Sequence, residues 1–357
     1  MKKHIISGIQ QMGIGVTNLQ EAWNWYIDVF NMDIKILDDD NVADIMAPFM
    51  GGKPRKKRAV IAINMQGGGG FEIWQHTGRQ PITKQEPIKI GDLGIIACKM
   101  KTKDIGKTHN VFKSRGLSVS SSLSTDPNGN KTFFMKDVYG NIFQMVTATD
   151  WFTNENKLTG GAYGTLIGVS DIEKSKTVYS EILGYDDVVY DVTGVFSDLT
   201  YFPGGQKECR RTLLRRSEPF VGSFSKLFGN SEIELISSSA GGSKIFEGRY
   251  WGDPGFIHLC FDISGMDELK EYCKSKGYPF SVDSKQHHAG NSFDMGEAAG
   301  YFSYIVDPDG ILIEFVETHK IPIFKKFGIF LDLQKRDPKK SLPKWILKAL
   351  KFSRVKV

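Results

Sequence analysis

Cysteine is scarce in this chain. Its 357 residues hold four, Cys98, Cys209, Cys260 and Cys273, and no CxxC pair. That scarcity excludes a disulfide-stapled scaffold and a thiolate zinc cluster. Cys98 and Cys260 sit in apolar runs and read as buried, reduced thiols, which leads us to expect a cytoplasmic protein. Long hydrophobic runs are also missing. No stretch approaches the roughly 18 apolar residues of a membrane span. The first thirty residues lack a charged start followed by an apolar core, so no signal peptide is expected.

Acidic charge is sparse in one region only. The chain carries 46 Lys and Arg against 41 Asp and Glu, a net charge of +5. Residues 320–357 alone contain twelve basic and two acidic residues, a local net of +10. The remainder is therefore mildly acidic, at −5. A basic tail on an acidic body argues against nucleic acid as a partner. With 40% hydrophobic and 24% charged residues, the composition is that of an ordinary globular chain long enough for two domains.

One local grammar, strand–helix–strands, occurs four times. The first copy opens with GIQQMGIGV (8–16). A helix with Asn18 as N-cap follows, with Leu19, Trp23, Tyr26 and Phe30 on one face, then strands at 33–37, 58–64 and 71–75. The run Gly67–Gly70 marks a tight turn. The second copy starts at GIIACKM (94–100), continues through a helix near 103–115 and ends in the hairpin TFFMKDVYGNIFQMV (132–146). The third starts at TLIGVSDIEKSKTVYSEILGYDD (165–187) and has an enlarged middle, 190–230, read either as loops over a pocket or as a surface insertion. The fourth runs from FIHLCFDI (256–263) through the helix MDELKEYCKSKG to YFSYIVDPDGILIEFVE (301–317). The Asp137–Gly140 and Asp307–Gly310 turns are equivalent hairpin signatures. We therefore expect an α+β fold of four βαβββ modules in two domains, 1–150 and 160–320, joined by the polar segment near 148–161, with a basic tail over 321–357.

The strand–DIEKS–helix–LGY segment and the DPDG hairpin ending in ILIEFVE resemble the vicinal-oxygen-chelate superfamily of glyoxalases, bleomycin-resistance proteins and dioxygenases. The likeness spans roughly residues 8–318. It implies paired βαβββ modules curled around a divalent metal, with two ligand positions per module, one on the first strand and one on the last. Carried onto this sequence, those positions are Gln11 and Glu72, Ile95 and Gln144, Gly164 and Glu234, and His258 and Glu314. Independently of the family, Glu72, Glu234 and Glu314 each interrupt an alternating apolar strand, and His258 lies between Ile257 and Leu259. Buried carboxylates cost several kcal/mol unless paired or metal-bound, and a lone buried histidine is ordinarily a satisfied core residue. Their recurrence at repeat-equivalent positions favours ligands.

The resemblance leaves two pairings open. Sequential pairing gives Gly164, Glu234, His258 and Glu314. Crossed pairing, of modules one and four, gives Gln11, Glu72, His258 and Glu314, a set resembling glyoxalase I. We expect the crossed form, because it leaves one complete set and one empty one, at the expense of a buried Glu234 without a metal. Such an oxygen-rich set with one imidazole suits Zn, Ni, Mn, Co or Fe(II). The implied function is that of a metal-dependent isomerase or lyase moving a proton on a chelated vicinal-dioxygen small molecule, with Glu314 and Glu72 as catalytic shuttles. The alternative is a non-catalytic binding protein of the bleomycin-resistance kind. A ring-cleaving dioxygenase of this fold uses two histidines, and Gly164 stands where one would be.

Three further features carry expectations. The basic segment GGKPRKKRA (51–59) reads as a loop between strands, either plain solvated surface or a grip for an anionic substrate tail. His287 and His288 read as an exposed loop pair. In the tail, Trp345, Ile346, Leu350 and Phe352 form an apolar stripe beside Lys344, Lys348 and Lys351, expected to dock on the acidic body, with a membrane surface as the alternative.

Overall fold

The computed structural model describes residues 4–287, 293–294, 299–324 and 329–355. His288 lies outside them. Among the described residues the strands form two sheets, one of ten strands and one of eight, with helices between strands in an α+β fold. Their composition answers the pairing question. The ten-stranded sheet is built from modules one and four, which meet where Ile5–Gly15 runs antiparallel to Gly255–Ser264. The eight-stranded sheet is built from modules two and three, joined by Gly94–Thr102 against Thr159–Gly168. Pairing is crossed, and each half of the chain contributes one module to each sheet.

Local sequence explains the elements. In the helix Leu19–Phe30, the Asn18 side chain accepts from the Glu21 amide, and Leu19, Trp23, Tyr26 and Phe30 are all buried. Asp104 and Asp171 cap the helices of modules two and three in the same way. Each helix packs its apolar face against the sheets, and one continuous core runs between them. The hairpin turns add a lock. Tyr26 of module one donates to Asp137 of module two at 2.6 Å, and Tyr179 of module three donates to Asp307 of module four at 2.9 Å. Each pair ties a helix to a turn in the other sheet, and the symmetry of the two contacts reflects the internal repeat.

Three expectations change. The basic segment is not a loop: Arg55–Ile63 is a strand, paired with Ile34–Ala43. Asp38 and Asp39 face it and neutralise Arg58 and Lys57, so cross-strand charge pairing accounts for two of the segment's five basic residues. His287 ends a short helix, Ser284–His287, is exposed, and lies 3.3 Å from Asp44. The stripe read in the sequence divides, because Ile346 and Leu350 pack against the body and Trp345 and Phe352 do not. Leu342 and Leu347 are buried against Ile34, Ile63 and Leu227, whereas Trp345 and Phe352 are 65% and 94% exposed. The helix Lys344–Ala349 is too short for a full stripe, and its spacing from Leu342 brings Leu347 inward. The tail is held to the body by Arg354, 3.2 Å from Asp33, and by Lys351, 2.5 Å from Glu155.

Candidate metal centre

Four central strands of the larger sheet set the site. They lie in the order Leu312–Phe324, Gly255–Ser264, Ile5–Gly15, Gly70–His76. Their register puts Gly13 opposite both His258 and Glu72, and Cys260 opposite both Gln11 and Glu314. Because strand side chains alternate, Gln11 and Gly13 share a face, as do His258 and Cys260. Gly13 keeps the centre open: a Cβ there would lie 2.5 Å from His258 Nε2. Only glycine leaves room for the imidazole to reach the two acids.

The side chains converge. His258 Nε2 lies 3.1 Å from Glu72 Oε2 and 3.3 Å from Glu314 Oε2. Gln11 Nε2 donates to the same two carboxylate oxygens at 3.3 and 3.4 Å. The ligating atoms of Glu72, His258 and Glu314 lie within 4.8 Å of one another. All four residues placed here by the repeat argument are thus brought together. Behind them stands a residue that reasoning missed. Tyr304 donates to Glu314 Oε1 at 2.7 Å, and its hydroxyl is 3.4 Å from His258 Nδ1. Its signal was present, since a hairpin turning at Asp307–Gly310 must place residue 304 opposite 314. Trp251 stacks beside the imidazole and was equally unforeseen.

The electrostatics follow from burial. His258 is fully buried, which disfavours its charge, but the adjacent Glu314 and Glu72 outweigh that and raise its pKa. Burial, reinforced by the negative Glu72, raises Glu314 although His258 pulls the other way. Tyr304 is pushed well up by burial and by both acids, so its phenol stays a proton donor. Two buried polar atoms here lack a well-formed hydrogen bond, His258 Nε2 and Gln11 Oε1. The amide oxygen, and Nε2 once the imidazole is neutral with its proton on Nδ1, can each offer a lone pair to a cation, and together with two carboxylates they fit a hard divalent ion.

The smaller sheet holds a different solution at the equivalent place. Gly94 faces Gly168 as Gly255 faces Gly15, so the counterpart of His258 is Ala97, not Ile95, and the counterpart of Cys260 is Lys99. Gly164 offers no side chain, and Gln144 faces Phe134 rather than a tyrosine. Glu234 remains, and a cation of the protein's own meets it. Lys99 Nζ lies 2.8 Å from Glu234 and 2.7 Å from Glu232. Glu234 also accepts from Arg211 and from Tyr190, each at 2.7 Å, while Arg211 reaches Asp198 at 2.8 Å. Burial alone would raise the Glu234 carboxyl, but Arg211 and Lys99 prevail and hold it down to about 2. The buried acid that counted against crossed pairing is thereby neutralised without a metal.

Two paired half-barrel sheets with a convergent acid–histidine–acid set define a class. Residues 8–145 and 165–294 each match a model described as the Glyoxalase/Bleomycin resistance protein/Dioxygenase superfamily, and the chain belongs to that superfamily. Among solved structures it is similar to glyoxalase I from Zea mays, at 13% identity and a TM-score of 0.54, over 88% of this chain and 92% of that one. It is also similar to a putative dioxygenase from Bacillus subtilis, at 14% identity and a TM-score of 0.56, over 99% and 97% of the two chains. At such identities the likeness establishes the fold. No curated protein matches the sequence. Among the described residues no helix is long and apolar enough to cross a membrane.

Proposed function

We propose that this chain is a divalent-metal-dependent isomerase or lyase that moves a proton on a small molecule carrying two adjacent oxygens. The observation that carries the reading is the convergence of Glu72, His258 and Glu314 on one point, with the lone pairs of His258 Nε2 and Gln11 Oε1 unused beside it. Gln11, Glu72, His258 and Glu314 would hold the ion. A bound divalent ion supplies Lewis acidity, which stabilises negative charge developing on a chelated oxygen.

The chain's own groups account for the remaining chemistry. Tyr304 grips Oε1 of Glu314 and so directs Oε2 toward the centre. Burial favours the protonated form of that carboxyl, which suits it to take a proton from carbon and return it. Glu72, across the centre from Glu314, would serve a neighbouring carbon. Trp251 and Tyr304 line the site. A ring-cleaving dioxygenase reading lacks its second histidine, because Gln11 stands at the first-strand position of module one, across from the strand of His258 in the larger sheet.

The test has two arms. Purified protein is assayed for bound divalent metal, and its turnover of α-hydroxycarbonyl compounds is followed in deuterated water. We expect metal uptake at micromolar concentration and solvent deuterium in the product, with Glu314→Gln lowering turnover at saturating metal. Absence of metal uptake, or oxygen incorporation into product, would overturn the reading. Ligand binding with no turnover would instead establish the non-catalytic binding protein.

A further inference from the structure

The concave face of the larger sheet encloses a cavity of about 310 Å³, with Gln11, Glu72 and Glu314 on its wall. From these polar groups the wall continues through Ile61, Ile63, Leu227, Phe228 and Leu350. Three distant stretches of sequence build that continuation. Ile61 and Ile63 belong to the sheet. Leu227 and Phe228 come from the enlarged middle of module three, whose own strands lie in the other sheet. Leu350 and Ser353 come from the tail, outside all four modules.

The tail is built to stay there. Leu342 and Leu347 anchor it in a buried cluster shared with Ile34, Ile63 and Leu227. The Val355 amide donates to the Asp33 carbonyl at 2.9 Å, and Arg354 and Lys351 clasp Asp33 and Glu155. The two lysines on the cavity wall are both engaged by acids: Lys57 by Asp39, and Lys35 by Asp38 at 3.5 Å. Neither is left to hold a phosphate or a carboxylate tail. Gln10, Asp39, Asn41, Asp44 and Thr318 also line the cavity, but most of its wall is hydrocarbon, so a substrate reaching beyond the polar centre meets a largely apolar surface.

We infer that the substrate is an amphiphile, with a dioxygen head seated at Gln11, Glu72, His258 and Glu314 and an uncharged apolar body lying along Ile63 and Phe228. The C-terminal segment is its far wall, and Leu350 sets the length the site accepts. This inference rests on the metal-site reading for the head group and on the cavity wall for the body.

A homologous series separates the two. Aceto-, hexano- and octanohydroxamate present one chelating head on chains of increasing length. Their affinities for the Mn(II)-loaded full-length protein are measured by calorimetry. Burial of a methylene is worth about 0.8 kcal/mol, so affinity should rise about fourfold per added methylene until the chain meets the tail. In Leu350→Trp the octano-to-aceto affinity ratio should fall at least tenfold, because the larger ring shortens the cavity. Acetohydroxamate binding with no gain along the series overturns the amphiphile inference and leaves the metal reading standing. If acetohydroxamate does not bind, the metal reading fails. The inference is then judged on 1-butanol, 1-hexanol and 1-octanol with metal-free protein, where a flat series overturns it and a rising one supports it.

Discussion

Replacing Lys99 by methionine tests whether the smaller sheet uses a side-chain cation where the larger one gathers metal ligands. Lys99 is fully buried, and burial opposes its charge, yet Glu232 and Glu234 hold its pKa above the ordinary lysine value. Its Nζ lies 2.7 and 2.8 Å from those carboxylates. The local cluster balances three cations, Lys99, Arg211 and Arg215, against Glu232, Glu234 and Asp198. Methionine keeps the length and removes the charge, leaving a net −1 in a largely buried cluster. Removing one partner of a buried pair costs about 3–5 kcal/mol. At about 2 °C per kcal/mol, the low end for large domains, Tm should fall by roughly 6–10 °C. Calorimetry measures the fall, and metal analysis accompanies it. Metal content should stay at the wild-type value, and adding Glu232→Gln to Lys99→Met should recover much of the loss. A fall below about 1 kcal/mol, or metal appearing at the second site, would refute the reasoning.

Other outcomes follow from the same contacts. Tyr304→Phe keeps the ring against Trp251 but frees Glu314 Oε1; metal affinity should drop about 10- to 100-fold in an equilibrium competition assay, with the fold intact. Asp262 is buried and its carboxyl is pushed up to about 8 by burial, against a hydrogen bond from Ser7 and with help from Glu317. Its folded pKa is raised, so the native state holds a proton that the unfolded chain releases above about pH 4, and stability should decline by up to about 1.4 kcal/mol per pH unit between roughly pH 4 and 8. Asp262→Asn should remove that slope in denaturant titrations across the range; an unchanged slope would assign it to other groups.

Much of this was legible because the repeat writes the same constraints four times. Gly140 and Gly310 take up φ of 85° and 98°, which the DVYG and DPDG turns require. The acids at 72, 234 and 314 stood out against apolar strands. What the sequence hid was register across modules far apart in the chain. The strand pair Gly94–Thr102 and Thr159–Gly168 slips between Ile95 and Ala97 and again near Met100. Gly94 pairs with Gly168 as Gly255 pairs with Gly15, so position for position Ala97, not Ile95, matches His258, a correspondence that the repeat pattern alone did not reveal. Lys99 escaped notice for the same reason: read locally it is one lysine in GIIACKM, and only the register reveals two acids beside it. The tail's wall at Leu350 and the contribution of Phe228 depend wholly on tertiary packing.

The register also shows how little separates the two centres. Cys260 and Lys99 occupy the same position, opposite Glu314 in one sheet and Gln144 in the other. Cys260 faces the site: burial, and then Glu314, push its thiol well above the usual range, so it remains neutral and small. A lysine there would carry its ammonium toward Glu314 and Glu72, as Lys99 does toward Glu232 and Glu234. One buried cation suffices to balance the spare negative charge, and a divalent ion added to it would meet a like charge at contact distance, a repulsion of several kcal/mol at an effective dielectric of about 20. Cys260→Lys should therefore fold and lose divalent metal, with affinity down at least 10³-fold by competition with a chelator. Cys260→Ser, neutral and of similar size, should keep the metal, and that comparison isolates charge from packing. Retention of wild-type affinity in Cys260→Lys, with the protein folded, would mean that the ammonium turns away from the acids and that the equivalence of the two positions does not extend to their electrostatics.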